Sequence, residues 1–530
     1  MNNNISNSTK PCLVQTAQGF TVSYRDKYLY SKYAPSKAIN QYIQELVLQP
    51  QTIILCVSPV LSYGLKELAQ KLPQDCIMLA CEYEEELYAL MLEQKEAVQD
   101  DRFSFLTKEE LLNLGPLLTK QNVTLQSGFT LPQCGTFRRI IKIDFSAGAQ
   151  FNSQLYDKVM ENAVNALMTY WANRVTLVKF GRRYSTNFFK NLACCDKTIP
   201  IQNFFESVDK PIIVFGAGES LVQGIEEARK GHYVICVDTA LQPLVAQGIV
   251  PDAVFIEEAQ NVISKCFIGM SRVETHVFAG LSSLHAITRY FKPEQLSFFT
   301  TEFTQARFID RFEQAGILPP KNEPFGSVGI TAYYYALLFR KDKSVPIKTY
   351  GLDFAYSAGR THTKGAMADK ARFLYSSRIK NDANYAAAFN EPAFKKNEKM
   401  FTTPIMVRYE QILEALREPQ RTHDTFGVPE ALQEPQRTHD TFGVPEALEG
   451  PQKIAQILQE EAASLKELKS LLTGETKLPA DQLEQKITKL IQEREYLYLH
   501  FPDGNRFAYT QSFLNRVRVE VDYFLKILNQ

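Results

Sequence analysis

The stretch Pro211-Ile-Ile-Val-Phe-Gly-Ala-Gly-Glu-Ser220 decides the fold of the central part of this chain. Its apolar first half predicts a buried strand, which runs directly into two glycines, and the residues from Leu221 to Lys230 have the pattern of a helix. A strand, a glycine turn and a helix start form the first step of a Rossmann-like domain, where backbone N–H groups can bind a phosphate. We therefore expect an anion site formed by Gly216, Gly218 and Ser220.

The next strand, Tyr233-Val-Ile-Cys-Val237, ends in Asp238-Thr239. Asp238 lies 20 residues after Gly218, where a nucleotide-binding unit commonly places an acid for a ribose hydroxyl. Leu221 stands where the dinucleotide fingerprint has its third glycine, which disfavours an NAD-dependent dehydrogenase. A tight turn with a serine cap and an ordinary surface aspartate would explain the same residues without a ligand.

Two further stretches supply polar residues next to predicted helices and strands. Gly326-Ser327 opens a helix over Ala332 to Phe339, and the strand Ile347-Lys-Thr-Tyr350 runs into Gly351-Leu-Asp353. The residues that follow parallel strands share one crevice at the edge of the sheet. We therefore expect four groups to converge there: Gly218, Asp238, Asp353 and Glu258.

Taken together, these stretches resemble the domain shared by bacterial motility-associated factor glycosyltransferases and archaeal 6-hydroxymethylpterin diphosphokinases. The resemblance spans Pro211 to Gly365 and rests on six motifs: Phe215-Gly-Ala-Gly-Glu-Ser-Leu221, Cys236-Val-Asp-Thr-Ala-Leu241, Gly248-Ile-Val-Pro-Asp252, Gly326-Ser-Val328, Gly351-Leu-Asp-Phe-Ala-Tyr-Ser357 and Thr361-His-Thr-Lys-Gly365. Tyr30-Ser-Lys-Tyr-Ala-Pro35, the βα pattern after it and a helical C-terminal region also resemble the motility factors, whereas the diphosphokinases are much shorter.

The resemblance implies transfer of a nonulosonic acid, of the pseudaminic or legionaminic type, from its CMP-activated form to Ser or Thr of flagellin. The fold would be related to that of sialyltransferases. For this chemistry we predict Asp353 as base or donor-positioning acid and His362 as proton donor or phosphate contact. The predicted donor-binding residues are Gly216, Gly218, Ser220, Asp238, Thr239, Glu258, Gly326, Ser327, Arg360 and Lys364. No metal site is predicted, although Glu258 with Asp238 leaves Mg²⁺ open.

The sequence departs from the family at two positions. Glu258 stands where an aspartate is usual, and Glu219 stands where proline is common, which adds a negative charge beside the expected phosphate. Two alternatives therefore remain: a pterin pyrophosphokinase that uses ATP and Mg²⁺, and a noncatalytic flagellar-assembly partner.

Composition excludes several classes of function. The 59 basic and 59 acidic residues give zero formal charge, so no global field attracts nucleic acid or an anionic membrane. The sequence has neither an apolar signal core nor a run of 18 apolar residues, and we predict a cytoplasmic protein. Nine cysteines without a Cys-x-x-Cys pair argue against a disulfide framework and a zinc ribbon. Homo-oligomerisation is compatible with this composition.

Three parts are expected along the chain: a smaller α/β domain over 1–165, the Rossmann-like domain over 166–390 and a helical region over 391–530. The third part contains a 16-residue tandem repeat at 418–448, in which the 15 residues from Glu418 to Leu432 recur unchanged from Glu434 to Leu448. Prolines and a glycine in each copy rule out a continuous helix and favour a flexible surface excursion. We predict no catalytic role for His423 and His439 within it.

Overall fold

The computed structural model describes residues 10–93, 98–120, 123–417, 450–503 and 506–529. The 418–448 repeat, with His423 and His439, lies outside these described residues. Two compact units are formed, Met1–Leu177 and Val178–Gln530, and the division falls within a 40-residue helix.

The first unit contains two sheets. Strands β1 (Cys12–Thr16), β2 (Gly19–Tyr24) and β3 (Lys27–Tyr28) form an antiparallel sheet. Strands β4 (Thr52–Val57), β5 (Ile77–Cys81), β6 (Phe103–Phe105) and β7 (Arg139–Asp144) form a parallel sheet in the order β6-β5-β4-β7. The helices are α1 (Lys37–Glu45), α2 (Leu65–Lys71), α3 (Glu85–Glu93), α4 (Lys108–Leu112) and α5 (Leu114–Thr119), followed by the start of α6 (Ser153–Leu192).

The second unit is built on a seven-stranded parallel sheet in the order β13-β12-β11-β10-β9-β8-β14. Its five inner strands are short, mostly apolar and buried, as expected for strands covered on both faces, whereas the two edge strands, Lys321–Asn322 and Ile347–Tyr350, are polar or mixed. They are β8 (Ile212–Phe215), β9 (Tyr233–Val237), β10 (Ala253–Ile256), β11 (His276–Gly280), β12 (Leu296–Thr301), β13 (Lys321–Asn322) and β14 (Ile347–Tyr350).

Helices and a small antiparallel sheet surround this sheet. The helices are α7 (Ile225–Ala228), α8 (Asp238–Ala246), α9 (Arg307–Gln314), α10 (Val328–Phe339), α11 (Met367–Leu374), α12 (Tyr385–Phe389) and α13 (Pro404–Arg417). The small sheet has the order β15-β17-β16, with β15 (Tyr356–Ser357), β16 (Phe394–Lys395) and β17 (Met400–Thr402). Three helices close the unit: α14 (Gly450–Thr473), α15 (Ala480–Gln492) and α16 (Gln511–Leu528).

The architecture confirms the predicted fold class, an α/β protein with a Rossmann-like parallel sheet and a helical C-terminal region. Two local predictions were wrong. The helix predicted from Leu221 to Lys230 is a 3₁₀ segment, Glu219–Gly224, followed by only one α-helical turn, because Gly224 packs against the ring of Tyr350. The pattern of Gln154 to Ala172 also predicts a helix, and in the structure this helix continues to Leu192.

All nine cysteines are free thiols. Within the described ranges, no helix combines the length and the apolar character needed to cross a membrane.

Candidate functional site at the switch point of the sheet

The large sheet has its topological switch point between β8 and β14, which lie side by side although β14 begins 132 positions after β8 ends. In open parallel sheets this switch point is where ligands usually bind. The glycine turn after β8 and the Gly351–Asp353 loop after β14 meet there. The N–H of Gly216 donates to the carbonyl of Tyr350 and that of Gly218 to the carbonyl of Gly351, both at 2.8 Å.

Both glycines of the turn are required by this loop-to-loop contact. A Cβ at Gly216 would lie 2.2 Å from the Gly351 carbonyl oxygen, and a Cβ at Gly218 would lie 2.3 Å from Oδ2 of Asp353. Gly351 has φ +70°, and its own Cβ would lie 2.2 Å from the Gly216 carbonyl oxygen. The two glycines that predicted an anion site are therefore needed for close packing of one backbone segment against another.

Asp353 is tied to the same turn. Its carboxylate accepts a 3.0 Å hydrogen bond from the Ser220 N–H and a second bond from the Ser220 hydroxyl. The Ser220 hydroxyl oxygen in turn accepts from the Gly351 N–H at 2.7 Å. The predicted partners Gly216, Gly218, Ser220 and Asp353 therefore lie in one hydrogen-bonded cluster.

The direction of the N–H groups in the turn alternates. Those of Gly216, Gly218 and Ser220 are used by the loop after β14, whereas the described residues provide no acceptor for those of Ala217 and Glu219. Two backbone donors at this turn are consequently available to an anion.

His362 lies on a loop that contacts this turn. The Thr363 N–H donates to the carbonyl of Ala217 at 2.8 Å, and Nδ1 of His362 is 3.0 Å from Oγ1 of Thr361. Burial lowers the pKa of His362 below its usual value, so the ring is neutral at pH 7. The exposed side chains of Arg360 and Lys364 are carried by the same loop.

The start of α10 faces the same loops through Leu352. A Cβ at Gly329 would lie 2.3 Å from Cδ2 of Leu352, and the same methyl group lies 2.5 Å from the Cβ position of Gly216. Ser327 precedes the helix without a capping hydrogen bond from its own side chain, and Gly326, at φ +76°, packs against the ring of Tyr409. No motif in the sequence indicates that Leu352 fills the space between the two glycines.

Acidic residues form a second group at the carboxyl ends of β9 and β10. Asp238 is 3% exposed, and burial, with Glu258 and Glu257 nearby, raises its pKa to about 7. Its Oδ1 accepts a 2.5 Å bond from the N–H of Thr239, and Oε1 of Glu258 accepts from the Gln260 N–H at 2.8 Å. Among the described residues, no group of three or more His, Cys, Asp or Glu side chains is arranged to hold a metal ion.

Glu257 is a site residue that sequence reasoning missed. Its two carboxylate oxygens accept 2.6 Å hydrogen bonds from the hydroxyls of Thr301 and Thr331, on β12 and α10. Burial raises its pKa. Its position directly after β10 was the available signal, but the family resemblance assigned the acidic position to the neighbouring Glu258.

Glu219 is hydrogen-bonded to the neighbouring strand β15. Its carboxylate accepts hydrogen bonds from the N–H of Ser357, at 3.3 Å, and from the Ser357 hydroxyl. This departure from the family pattern therefore fastens the glycine turn to β15.

His285, for which its apolar neighbours Leu284 and Ala286 predict a core histidine without a catalytic role, has a defined ring orientation. The amide nitrogen of Asn191 donates to the carbonyls of Leu281 and Ser283, so its oxygen faces Nδ1 of His285 at 2.8 Å. Nδ1 must then carry the proton, which leaves Nε2 with a lone pair. Burial and the positive charges of Lys190 and Arg289 lower the pKa of His285.

Comparison with known proteins defines the class of the central domain. Residues 186–359 match the family model described as 6-hydroxymethylpterin diphosphokinase MptE-like, which confirms the resemblance recognised in the sequence for this domain. An uncharacterized protein of Treponema pallidum (strain Nichols) is 30% identical over 569 residues, which cover 99% of this chain and 96% of that protein.

The chain belongs to the same family as this Treponema protein and carries an MptE-like domain. A solved structure, titled "Structure of MAf glycosyltransferase from Magnetospirillum magneticum AMB-1", aligns with 98% of this chain and 91% of that chain. The alignment has 12% identity and a TM-score of 0.48.

Proposed function

We propose that the protein is a glycosyltransferase that moves a nonulosonic acid from a CMP-activated donor to Ser or Thr of flagellin. The resemblance of Pro211 to Gly365 to the motility-associated factors supports this proposal, as does the MptE-like domain. The observation that carries it is the meeting of the glycine turn, Asp353 and the His362 loop at the switch point of the sheet.

The donor carries two negatively charged groups, a phosphate and a sugar carboxylate. Because the protein has zero formal charge, these negative charges must be balanced by groups close to the donor site. The Ala217 and Glu219 N–H groups are suited to the phosphate, with Ser327, Arg360 and Lys364 contributing from the α10 start and the His362 loop. Each such interaction contributes about 0.3–2 kcal/mol, so several must act together. Asp353 orients the turn through Ser220, which fits the donor-positioning role.

The reaction needs a base for the acceptor hydroxyl. In the transfer, the hydroxyl oxygen bonds to the anomeric carbon, the bond from that carbon to the phosphate oxygen breaks, and CMP leaves with the electron pair. Burial lowers the pKa of His362, so the ring can take the hydroxyl proton directly, and we propose this role in place of the proton donor predicted from the sequence. Asp238 and Glu258, which follow neighbouring strands, would contact the ribose hydroxyls.

Incubation of the purified protein with a CMP-nonulosonic acid and unglycosylated flagellin tests the proposal. Intact mass spectrometry should show flagellin gaining the mass of the sugar at Ser or Thr, with release of CMP. His362→Ala should reduce the rate at least 100-fold, whereas the control His232→Ala, which removes a partner of Glu227 instead, should not. If the mass of flagellin did not change after incubation with the wild-type protein and intact CMP-nonulosonic acid, the proposal would be contradicted.

A second candidate, pyrophosphoryl transfer from ATP to a hydroxymethylpterin, is favoured by the name of the matching domain model. It would use the same backbone donors and leave AMP as product. Release of AMP that depends on the pterin and on Mg²⁺ would support it over sugar transfer.

A further inference from the structure

A segment beside the His362 loop exposes an unusual number of apolar side chains. In the 366–390 segment, six large side chains are more than half exposed: Phe373, Leu374, Tyr375, Ile379, Tyr385 and Phe389. Four of the five aromatic side chains exposed to this extent in the described part of the chain lie here. Exposed clusters of this kind mark interaction surfaces, and aromatic residues are enriched in them.

The segment is fastened to the candidate site at several points. The N–H of Gly365 donates to Asp369 at 2.9 Å, and Nζ of Lys370 donates to Gln242 of α8 at 2.9 Å. Further along, the Asn384 N–H donates to the carbonyl of Gly359 at 2.6 Å. The apolar surface is therefore carried next to the loop that bears His362.

The charge of the segment is also one-sided. It has four basic and two acidic residues in a chain that is neutral overall. Three of the basic residues, Arg372, Arg378 and Lys380, are exposed, and the described residues offer them no ion-pair partner. A partner that fits this surface combines apolar side chains with acidic ones.

We propose that the 366–390 segment is the docking surface for the acceptor polypeptide, and that it binds an acceptor stretch in which apolar residues are flanked by Asp or Glu. This inference rests on the proposed function. A second copy of the chain fits less well, because a two-fold contact would oppose the same three cationic side chains. A membrane fits less well because α11 has 8 residues and α12 has 5, too short for an extended amphipathic face.

The test uses Phe373→Ser, Tyr375→Ser and Ile379→Ser combined in the full chain. The matched control combines Val250→Ser, Val262→Ser and Ile268→Ser, three exposed apolar positions of the same unit that lie outside the segment. Binding of purified flagellin is measured by interferometry without donor, and thermal melting checks that both variants stay folded. Flagellin should bind the segment variant at least tenfold more weakly than wild type and bind the control within about twofold.

A charge-reversed variant supplies a second readout. This variant combines Arg372→Glu, Arg378→Glu and Lys380→Glu. It should bind flagellin more weakly than wild type, and its affinity for flagellin should no longer decrease when salt is added. Lys230→Glu, Arg272→Glu and Lys292→Glu, also at exposed positions, are the control. Hydrolysis of the CMP-sugar by water should continue in all four variants, because none alters the candidate site.

The inference would be overturned if wild type did not bind flagellin, or if wild type and the segment variant bound it equally well. It would also be overturned if the segment variant lost self-association, or binding to anionic lipid vesicles, while its binding of flagellin was unchanged. The proposed function fails separately, by absence of sugar transfer and of CMP release in wild type, whatever the binding result.

Discussion

Substituting Gly216 by alanine tests the loop-to-loop packing at the switch point. The new Cβ would lie 2.2 Å from the Gly351 carbonyl oxygen, whereas ordinary contact begins at 3.4 Å, so the two loops must separate by more than 1 Å. The Gly351 carbonyl group cannot yield by a side-chain rotation, because it is backbone. Separation on this scale breaks the bonds from Gly216 N–H to Tyr350 and from Gly218 N–H to Gly351.

The loss of two hydrogen bonds at about 0.5–1.5 kcal/mol each adds to an overpacking cost of about 1–3 kcal/mol. Gly216→Ala should therefore lower the free energy of unfolding of the second unit by about 2–6 kcal/mol, measured by calorimetry or denaturant unfolding. The control is Gly280→Ala at the end of β11, where the nearest atom would lie 3.5 Å away. It should be neutral or stabilise by up to about 1 kcal/mol. Equal stability of the two variants would refute the packing argument.

Three further outcomes follow from the site. Asp238 has a native pKa near 7 against about 4 when unfolded, so between these values the native state binds the extra proton and stability rises as pH falls. Asp238→Asn mimics the protonated form, so its free energy of unfolding relative to wild type should increase by about 2–3 kcal/mol from pH 5 to pH 8, as measured by denaturant unfolding. A difference in stability that does not change with pH would contradict the raised pKa of Asp238. Nitrogen NMR should show His285 protonated at Nδ1 at pH 8, with Asn191→Ala giving a mixture of tautomers; an Nε2-protonated ring in wild type would disprove the assigned orientation. Asp353→Asn should raise KM for the donor about tenfold or more through the altered Ser220 contact, and steady-state kinetics with unchanged KM would exclude a positioning role.

Three strands of the large sheet, β8, β9 and β14, were predicted from the sequence because each runs into small or polar residues, whereas the order of the seven strands was not predicted. The seven-stranded sheet places Gly218, Asp238 and Asp353 at the carboxyl ends of its strands, as the sequence analysis expected. Parallel topology alone determines this arrangement, since all parallel strands end at the same edge.

The hydrogen-bond partner of each backbone N–H group in the glycine turn could not be predicted from the sequence. A glycine that admits a phosphate and a glycine that admits a neighbouring backbone satisfy the same spacing rule, and only the tertiary contact between Gly216 and Gly351 separates them. The burial of Glu257 between two threonine hydroxyls likewise depends on residues 44 and 74 positions away. Local pattern carries no information on such contacts.

A structure of the protein with CMP bound tests the central claim most directly. The account predicts the CMP phosphate at the turn after β8, within hydrogen-bonding distance of the Ala217 and Glu219 N–H groups, with His362 facing it and the ribose towards Asp238. CMP bound elsewhere on the chain, or no binding at millimolar CMP, would contradict the claim that this edge of the sheet is the donor site.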